Sequence, residues 1–269
     1  MSLYADLPQT LTLSNLLAMK RAGEKISCLT AYDASFAAVL DKAGIDVLLV
    51  GDSLGMVIQG HHSTIPVSVT DMAYHSRCVA AARQRAFIIA DLPFASYATP
   101  AQALTSAARL MQSGGAQMVK LEGAKPEIIA FLTEQGIPVC GHLGLLPQSV
   151  NRLGGYKVQG RDPDQAQSIL DAALGIEQAG AGLLVLECVP AALAAEISRQ
   201  LTIPTIGIGA GPNCDGQVLV LYDMLNISIG NRPRFSKNFM AGAQGIDDAV
   251  RRYHQAVKSR EFPAPEHCY

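Results

Sequence analysis

Asp33, Asp52, Asp91, Glu122 and Glu187 each stand at or near the C-terminal end of a short apolar run. The sharpest case is GLLVLECVP, Gly182 to Pro190. Leu183 to Leu186 read as a fully buried parallel strand, and an ionised carboxylate there costs several kcal/mol unless something pairs with it. Glu187 therefore needs a partner or a task. Asp33 directly precedes ASFAAVLDKAG and reads as a helix N-cap. That explanation is weaker for Asp91, because Pro93 and FASYATP delay the next helix, and Asp52 and Glu122 are followed by glycine-containing loops. Brought to one place, Asp52, Asp91 and Glu122 would repel each other unless a cation sat among them. Oxygen-only ligands suit Mg2+, and no His/Cys zinc pattern is present. Lys120 lies two residues before Glu122, so the alternation of a strand points both to one face. Such a lysine is either a structural ion-pair partner or a clamp for a substrate carboxylate.

Other polar residues point less clearly to chemistry. His142 follows an apolar strand and reads as a satisfied core histidine, while His61 and His62 sit in a polar loop and read as solvated. The glycine cluster GIGAG (207–211) resembles a phosphate cradle, but Pro212 directly after it argues against a dinucleotide fingerprint.

Positioning these acids requires strands that all end on one side. Eight apolar runs recur, at 26–33, 46–53, 86–93, 117–123, 138–144, 182–189, 204–211 and 218–225, with alanine-rich helical stretches between most of them. ATPAQALTSAARLMQSG and RDPDQAQSILDAALGIEQAG each place Pro in the first helical turn and end in Gly. Strict alternation without a second compositional zone predicts an α/β fold, one (β/α)8 TIM barrel over 1–269 with a short N-terminal helical extension and a C-terminal helical tail. An open doubly wound sheet is the alternative. The connections 53–72 and 143–163 are long for βα loops and follow strand C-termini, the face where barrel active sites form.

Composition narrows the partners. Lys and Arg total 21 against 23 Asp and Glu, a formal charge of -2, which draws the chain to neither nucleic acid nor an anionic membrane and favours a small-molecule partner. The six cysteines are dispersed with no C-x-x-C pair and read as reduced thiols. Asp6 and Pro8 break up any secretory leader, which makes the expected location cytoplasmic. Ala179 to Ala195 is apolar apart from Glu187, but it is too short for a membrane span and contains Pro190.

Several longer stretches carry a specific resemblance: TAYDASFA, LLVGDSLGMVIQGHHSTIPV, IIADLPFASYATP, MVKLEG, VCGHLGLLPQSVNRLGGYKVQG and LLVLECVP. Together and in this order, from about residue 10 onward, they resemble the ketopantoate hydroxymethyltransferase family. The resemblance implies a (β/α)8 barrel that moves a one-carbon unit from 5,10-methylenetetrahydrofolate to 3-methyl-2-oxobutanoate, giving 2-dehydropantoate in pantothenate biosynthesis. It implies Mg2+ as cofactor and a cytoplasmic homo-oligomer, commonly a homodecamer. Carried onto this sequence, it makes Asp52, Asp91 and Glu122 the metal residues, with Glu122 acting directly or through water. Asp52, Ser53, Asp91 and Lys120 become substrate-binding, and Glu187 becomes the proton-abstracting base. Three positions depart from the family pattern: Tyr222 where histidine is frequent, Asn226 for a common glycine, and Leu146 where threonine is usual. Two rival readings keep the same acids, a Mg2+-dependent 2-oxo acid lyase or mutase of the phosphoenolpyruvate mutase type, and a barrel retained as a binding scaffold.

Overall fold

A computed structural model describes residues 10–230 and 232–269. Asp6 and Pro8, on which the reading of the N-terminus rests, lie outside the described residues. Eight parallel strands close in sequence order: β1 (Ile26–Thr30), β2 (Val47–Val50), β3 (Phe87–Asp91), β4 (Met118–Glu122), β5 (Val139–Gly144), β6 (Leu183–Glu187), β7 (Thr205–Ile208) and β8 (Gly216–Leu219). Because β8 pairs with β1, the barrel has no edge, and the open-sheet alternative is excluded.

Period-two alternation divides each strand. Inward residues such as Cys28, Val47, Phe87, Met118, Leu183 and Val218 pack on the barrel axis. Outward ones, Leu48, Ile88, Val119 and Leu184 among them, join the helices in the larger outer core. The N-terminal helix Leu13–Ala22 closes the bottom, placing Leu16 and Met19 against the axial cluster. Lys20 anchors it, with Nζ 2.7 Å from Asp215 Oδ2.

The predicted helix starts form as their sequences dictate. Thr99 caps Pro100–Gln112 and Asp162 caps Pro163–Gln178, each with proline in the first turn. Asp33 accepts the Phe36 N–H at 2.9 Å, the capping role expected of it. All six cysteines are free. Among the described residues no helix is long and apolar enough to cross a membrane.

Two expectations change. The eighth run, 218–225, is strand only to Leu219, and Leu221–Met224 turns helical. The Leu221 N–H donates to Thr30 Oγ1 at 2.9 Å instead of continuing the ladder, and an unbroken apolar run does not distinguish a strand from a buried helical turn. The two long connections are also partly ordered. Leu54–Val57 is helical and Val69 already starts the next helix, while Pro147–Ser149 and Val150–Leu153 form two consecutive helical turns over the mouth.

Candidate active site

The last inward positions of four neighbouring strands form one tier. Counting by twos from the axial core, β3 ends in Asp91, β4 in Lys120 and Glu122, β5 in His142 and Gly144, and β6 in Glu187. Strand register sets Asp91 beside Lys120, Glu122 beside His142, and Gly144 beside Glu187. Asp52 and Ser53 follow directly after β2, and the Asp52 N–H donates to Asp91 Oδ2 at 3.0 Å. A side chain at Gly51 would lie 2.7 Å from Ser53 Oγ, so glycine there makes the junction possible. Every predicted site residue, Asp52, Ser53, Asp91, Lys120, Glu122 and Glu187, lines one cavity of about 640 Å3.

Lys120 sits at the centre of the tier. Its Nζ lies 3.1 Å from Asp91 Oδ1 and 3.2 Å from His142 Nδ1. Burial alone would lower its pKa, but Asp91, Glu122 and Asp52 outweigh burial and hold it above its usual value. An ammonium group has only donors, so His142 Nδ1 must accept and its ring proton resides on Nε2. That nitrogen is 3.2 Å from Glu187 Oε2, a close contact without well-formed hydrogen-bond geometry. Burial, reinforced by Lys120, pushes the His142 pKa well below its usual value, so the imidazole is neutral. His142 is therefore not a passive core histidine, because it bridges the lysine and the isolated acid.

The acids respond to burial in the opposite direction. Desolvation and the Asp91 charge raise Asp52 to about 7 against the pull of Lys120. Desolvation also raises Glu187 to about 7, again opposed by Lys120. Glu122 is pushed well above its ordinary range by burial and then by Asp52, Glu187 and Asp91, with Lys120 opposing.

Among the described residues, no group of three or more His, Cys, Asp or Glu is arranged as a ready metal cage. Each acid instead meets protein partners: Lys120 pairs with Asp91, while Gln148 donates from its side chain to Asp52 and from its backbone to Glu122. The chemistry of the donors still fits Mg2+. Asp91 Oδ1, 3.1 Å from Lys120 Nζ, is buried without a well-formed hydrogen bond, and burial together with the Asp91 charge raises Asp52 to about 7, a crowding of oxygen donors that a hard cation would relieve. Asp52 and Asp91 could hold the ion, and Glu122 could reach it through water.

The remaining candidates fall outside the tier. His61 and His62 are exposed and reach only the rim. Phe235 and Tyr269 pack over Gly209, within 3.1 Å of where a Cβ would stand, which leaves GIGAG no phosphate cradle. Tyr222 packs in a tilted pair with Tyr32, ring centroids 5.8 Å apart, and the Tyr32 hydroxyl is 2.9 Å from Ser53 Oγ, so this departure reaches the site at one remove. Asn226 adopts φ 58°, a conformation that asparagine tolerates better than most residues. Leu146 faces Gly123, its Cδ1 3.8 Å from where a Cβ would stand.

The ketopantoate hydroxymethyltransferase family model matches residues 10–265. The 3-methyl-2-oxobutanoate hydroxymethyltransferase of Nitrosococcus oceani is 60% identical over 261 residues, 96% of this chain and 99% of that protein. The Thiobacillus denitrificans protein of the same name is 61% identical, with the same coverage. In fold, the chain is similar to phosphoenolpyruvate phosphomutase from Streptomyces platensis subsp. rosaceus. The TM-score is 0.60 at 12% identity, covering 80% of this chain and 83% of the other, a likeness of architecture alone.

Proposed function

The chain belongs to the ketopantoate hydroxymethyltransferase family, and from that premise we propose that it uses Mg2+ and 5,10-methylenetetrahydrofolate to hydroxymethylate 3-methyl-2-oxobutanoate. The products are 2-dehydropantoate and tetrahydrofolate, with one water consumed. One observation carries the reading: a buried lysine flanked by an acid pair stands in the same cavity as a separate carboxylate, Glu187, whose pKa is raised to about 7.

Each residue then has a task. Lys120 and the Ser53 hydroxyl, the latter oriented by Tyr32, receive the substrate carboxylate. Asp52 and Asp91 would hold Mg2+, with Glu122 beside them, and the bound cation would supply Lewis-acid polarisation of the 2-oxo group. Glu187 accepts the proton from C3, where a base of pKa near 7 is matched to neutral pH. The Nε2–H of His142 limits where the Glu187 carboxylate can swing. The electron pair released from the C3–H bond forms the new carbon–carbon bond to the transferred carbon, whose two bonds to folate nitrogens break; water supplies its hydroxyl, and the two nitrogens take up the C3 proton and the remaining water proton. Tyr156 and Lys157, from the long connection over the mouth, line the cavity where water must be excluded from the one-carbon donor. A cytoplasmic homodecamer is part of the same reading, and sedimentation velocity measures that assembly.

A mutase or lyase of the phosphoenolpyruvate type is the second reading, favoured only by the shared barrel. Isotope exchange separates them. We expect Mg2+-dependent loss of the C3 proton of 3-methyl-2-oxobutanoate in deuterated buffer, and product only when the folate is added. Product without folate would favour the lyase, and absence of exchange would favour a scaffold.

A further inference from the structure

We propose that Gln148 and Tyr97 form a positioning clamp that holds Asp52 and Glu122 in the arrangement that receives Mg2+. The inference rests on the Mg2+ reading above and adds residues to it. Gln148 lies in the turn Pro147–Ser149 after β5, on a different element from either acid, and is only 5% exposed. Its Nε2 donates to Asp52 Oδ2 at 2.8 Å and to the Leu92 carbonyl at 3.0 Å. Its backbone N–H donates to Glu122 Oε2 at 3.1 Å. One residue thus touches the acid that follows β2 and the acid that ends β4.

Tyr97 fixes the sense of that contact. Its hydroxyl donates to Gln148 Oε1 at 2.6 Å and accepts the Glu122 N–H at 3.3 Å. A flipped amide would turn its oxygen toward the Leu92 carbonyl, which can only accept, and would deprive the Tyr97 hydroxyl of this acceptor. The amide therefore has one sense, with both of its N–H groups used. The clamp bonds one oxygen of each carboxylate, which restricts how each can turn.

Residues standing one bond behind metal-binding carboxylates commonly change metal affinity or activity by about 10–100-fold when removed. The two are positioning residues and do not themselves touch the substrate. Gln148→Met keeps most of the volume and removes the amide; Tyr97→Phe removes only the hydroxyl. Calorimetric titration of Mg2+, in the presence of 3-methyl-2-oxobutanoate and with no folate, measures affinity apart from turnover. We expect Gln148→Met to weaken Mg2+ binding about 10–100-fold and Tyr97→Phe to weaken it by less. The double variant should bind as Gln148→Met does, because the hydroxyl acts through the amide. Thermal melting identifies folded variants, and Tyr97→Phe carries the test should Gln148→Met not fold. Mg2+ affinity unchanged in the folded variants, with only the melting temperature lowered, would make the pair structural and overturn the clamp. Additive effects in the double variant would overturn the coupling between them. Wild-type protein that takes up no Mg2+ would instead overturn the underlying reading, and the clamp with it.

Discussion

Unlike Asp91, which Lys120 contacts, Glu187 meets a neutral imidazole and, among the described residues, pairs with no lysine or arginine. Its folded pKa, about 7, lies above the ordinary 4.5 because burial disfavours the ionised form. The sign of the linkage follows. Between these values the folded chain holds a proton that the unfolded chain has released, so the associated stability is present below about 4.5 and lost as pH rises through about 7. Glu187→Gln does not titrate. In metal-free protein it should melt with wild type near pH 4.5 and above it at pH 8, by an advantage on the order of 3 kcal/mol. Turnover and C3 exchange should fall roughly 10²–10⁴-fold, the usual share of a positioned base. In wild type, exchange should rise with pH through about 7, as the base form appears. Exchange at the wild-type rate in the variant would assign the proton to another residue, and a large fall in melting temperature would return Glu187 to a structural ion pair.

At the scale of elements, the end of β5 decides whether the tier assembles. Gly144 has φ 94°, and a Cβ there would stand 2.1 Å from the Glu187 carbonyl oxygen, a backbone atom that cannot swing away. That carbonyl accepts the Leu145 N–H at 2.8 Å, so the same contact aims the turn that carries Gln148. Gly144→Ala should cost on the order of 3 kcal/mol and lower activity in what remains folded. Gly175 provides the comparison: it lies inside the helix Pro163–Gln178 with nothing near its missing side chain. Gly175→Ala should gain about 0.5–1 kcal/mol by helix propensity with unchanged kinetics. Denaturant unfolding of both variants checks the pair, and equal effects would mean that close approach at Gly144 is unimportant. In the sequence, Asp91, Glu122 and Glu187 stand out as acids ending apolar runs, and strand alternation adds Lys120 on the face of Glu122; their roles come only from the family resemblance. His142 is in phase with Cys140 and was accessible to the same rule, but its role depends on cross-strand register, which no single strand encodes. Gln148 and Tyr97 were not legible, since each lies in an irregular segment whose path is set by tertiary contacts such as the one at Gly144. The last strand was overextended for a related reason, as the Thr30 hydroxyl that ends it is distant in sequence.

Across the whole molecule, buried charge serves opposite purposes at the two ends of the barrel. At the mouth, burial makes the carboxylates of Asp52, Glu122 and Glu187 resist ionisation. At the bottom, Asp46 is fully buried yet saturated with partners: Arg85 Nη2 and Lys258 Nζ at 2.8 Å, and the Ser27 N–H at 3.0 Å. Burial would raise its pKa, but Lys258, Arg85 and Ser27 outweigh burial and hold it below 3.8. Lys258 ends the C-terminal helix Ile246–Lys258, whose Tyr253 hydroxyl reaches the Cys28 and Gln217 carbonyls, so the network fastens that helix beneath β1 and β8. The sign is the reverse of that at Glu187: stability from Asp46 is present above about 3.8 and is lost as pH falls through the lower folded value. Asp46→Asn leaves two cations facing an amide. It should cost on the order of 3 kcal/mol at pH 7, or roughly 5–10 °C in melting temperature, with Michaelis constants and turnover unchanged. The gap from wild type should narrow as pH is lowered below 3.8, while the gain from Glu187→Gln should grow as pH is raised above 4.5. Melting both variants across pH, beside steady-state kinetics, tests the division directly. If Asp46→Asn impaired turnover as strongly as stability, the two ends would be mechanically coupled, and the barrel would not isolate its chemistry from its foundation.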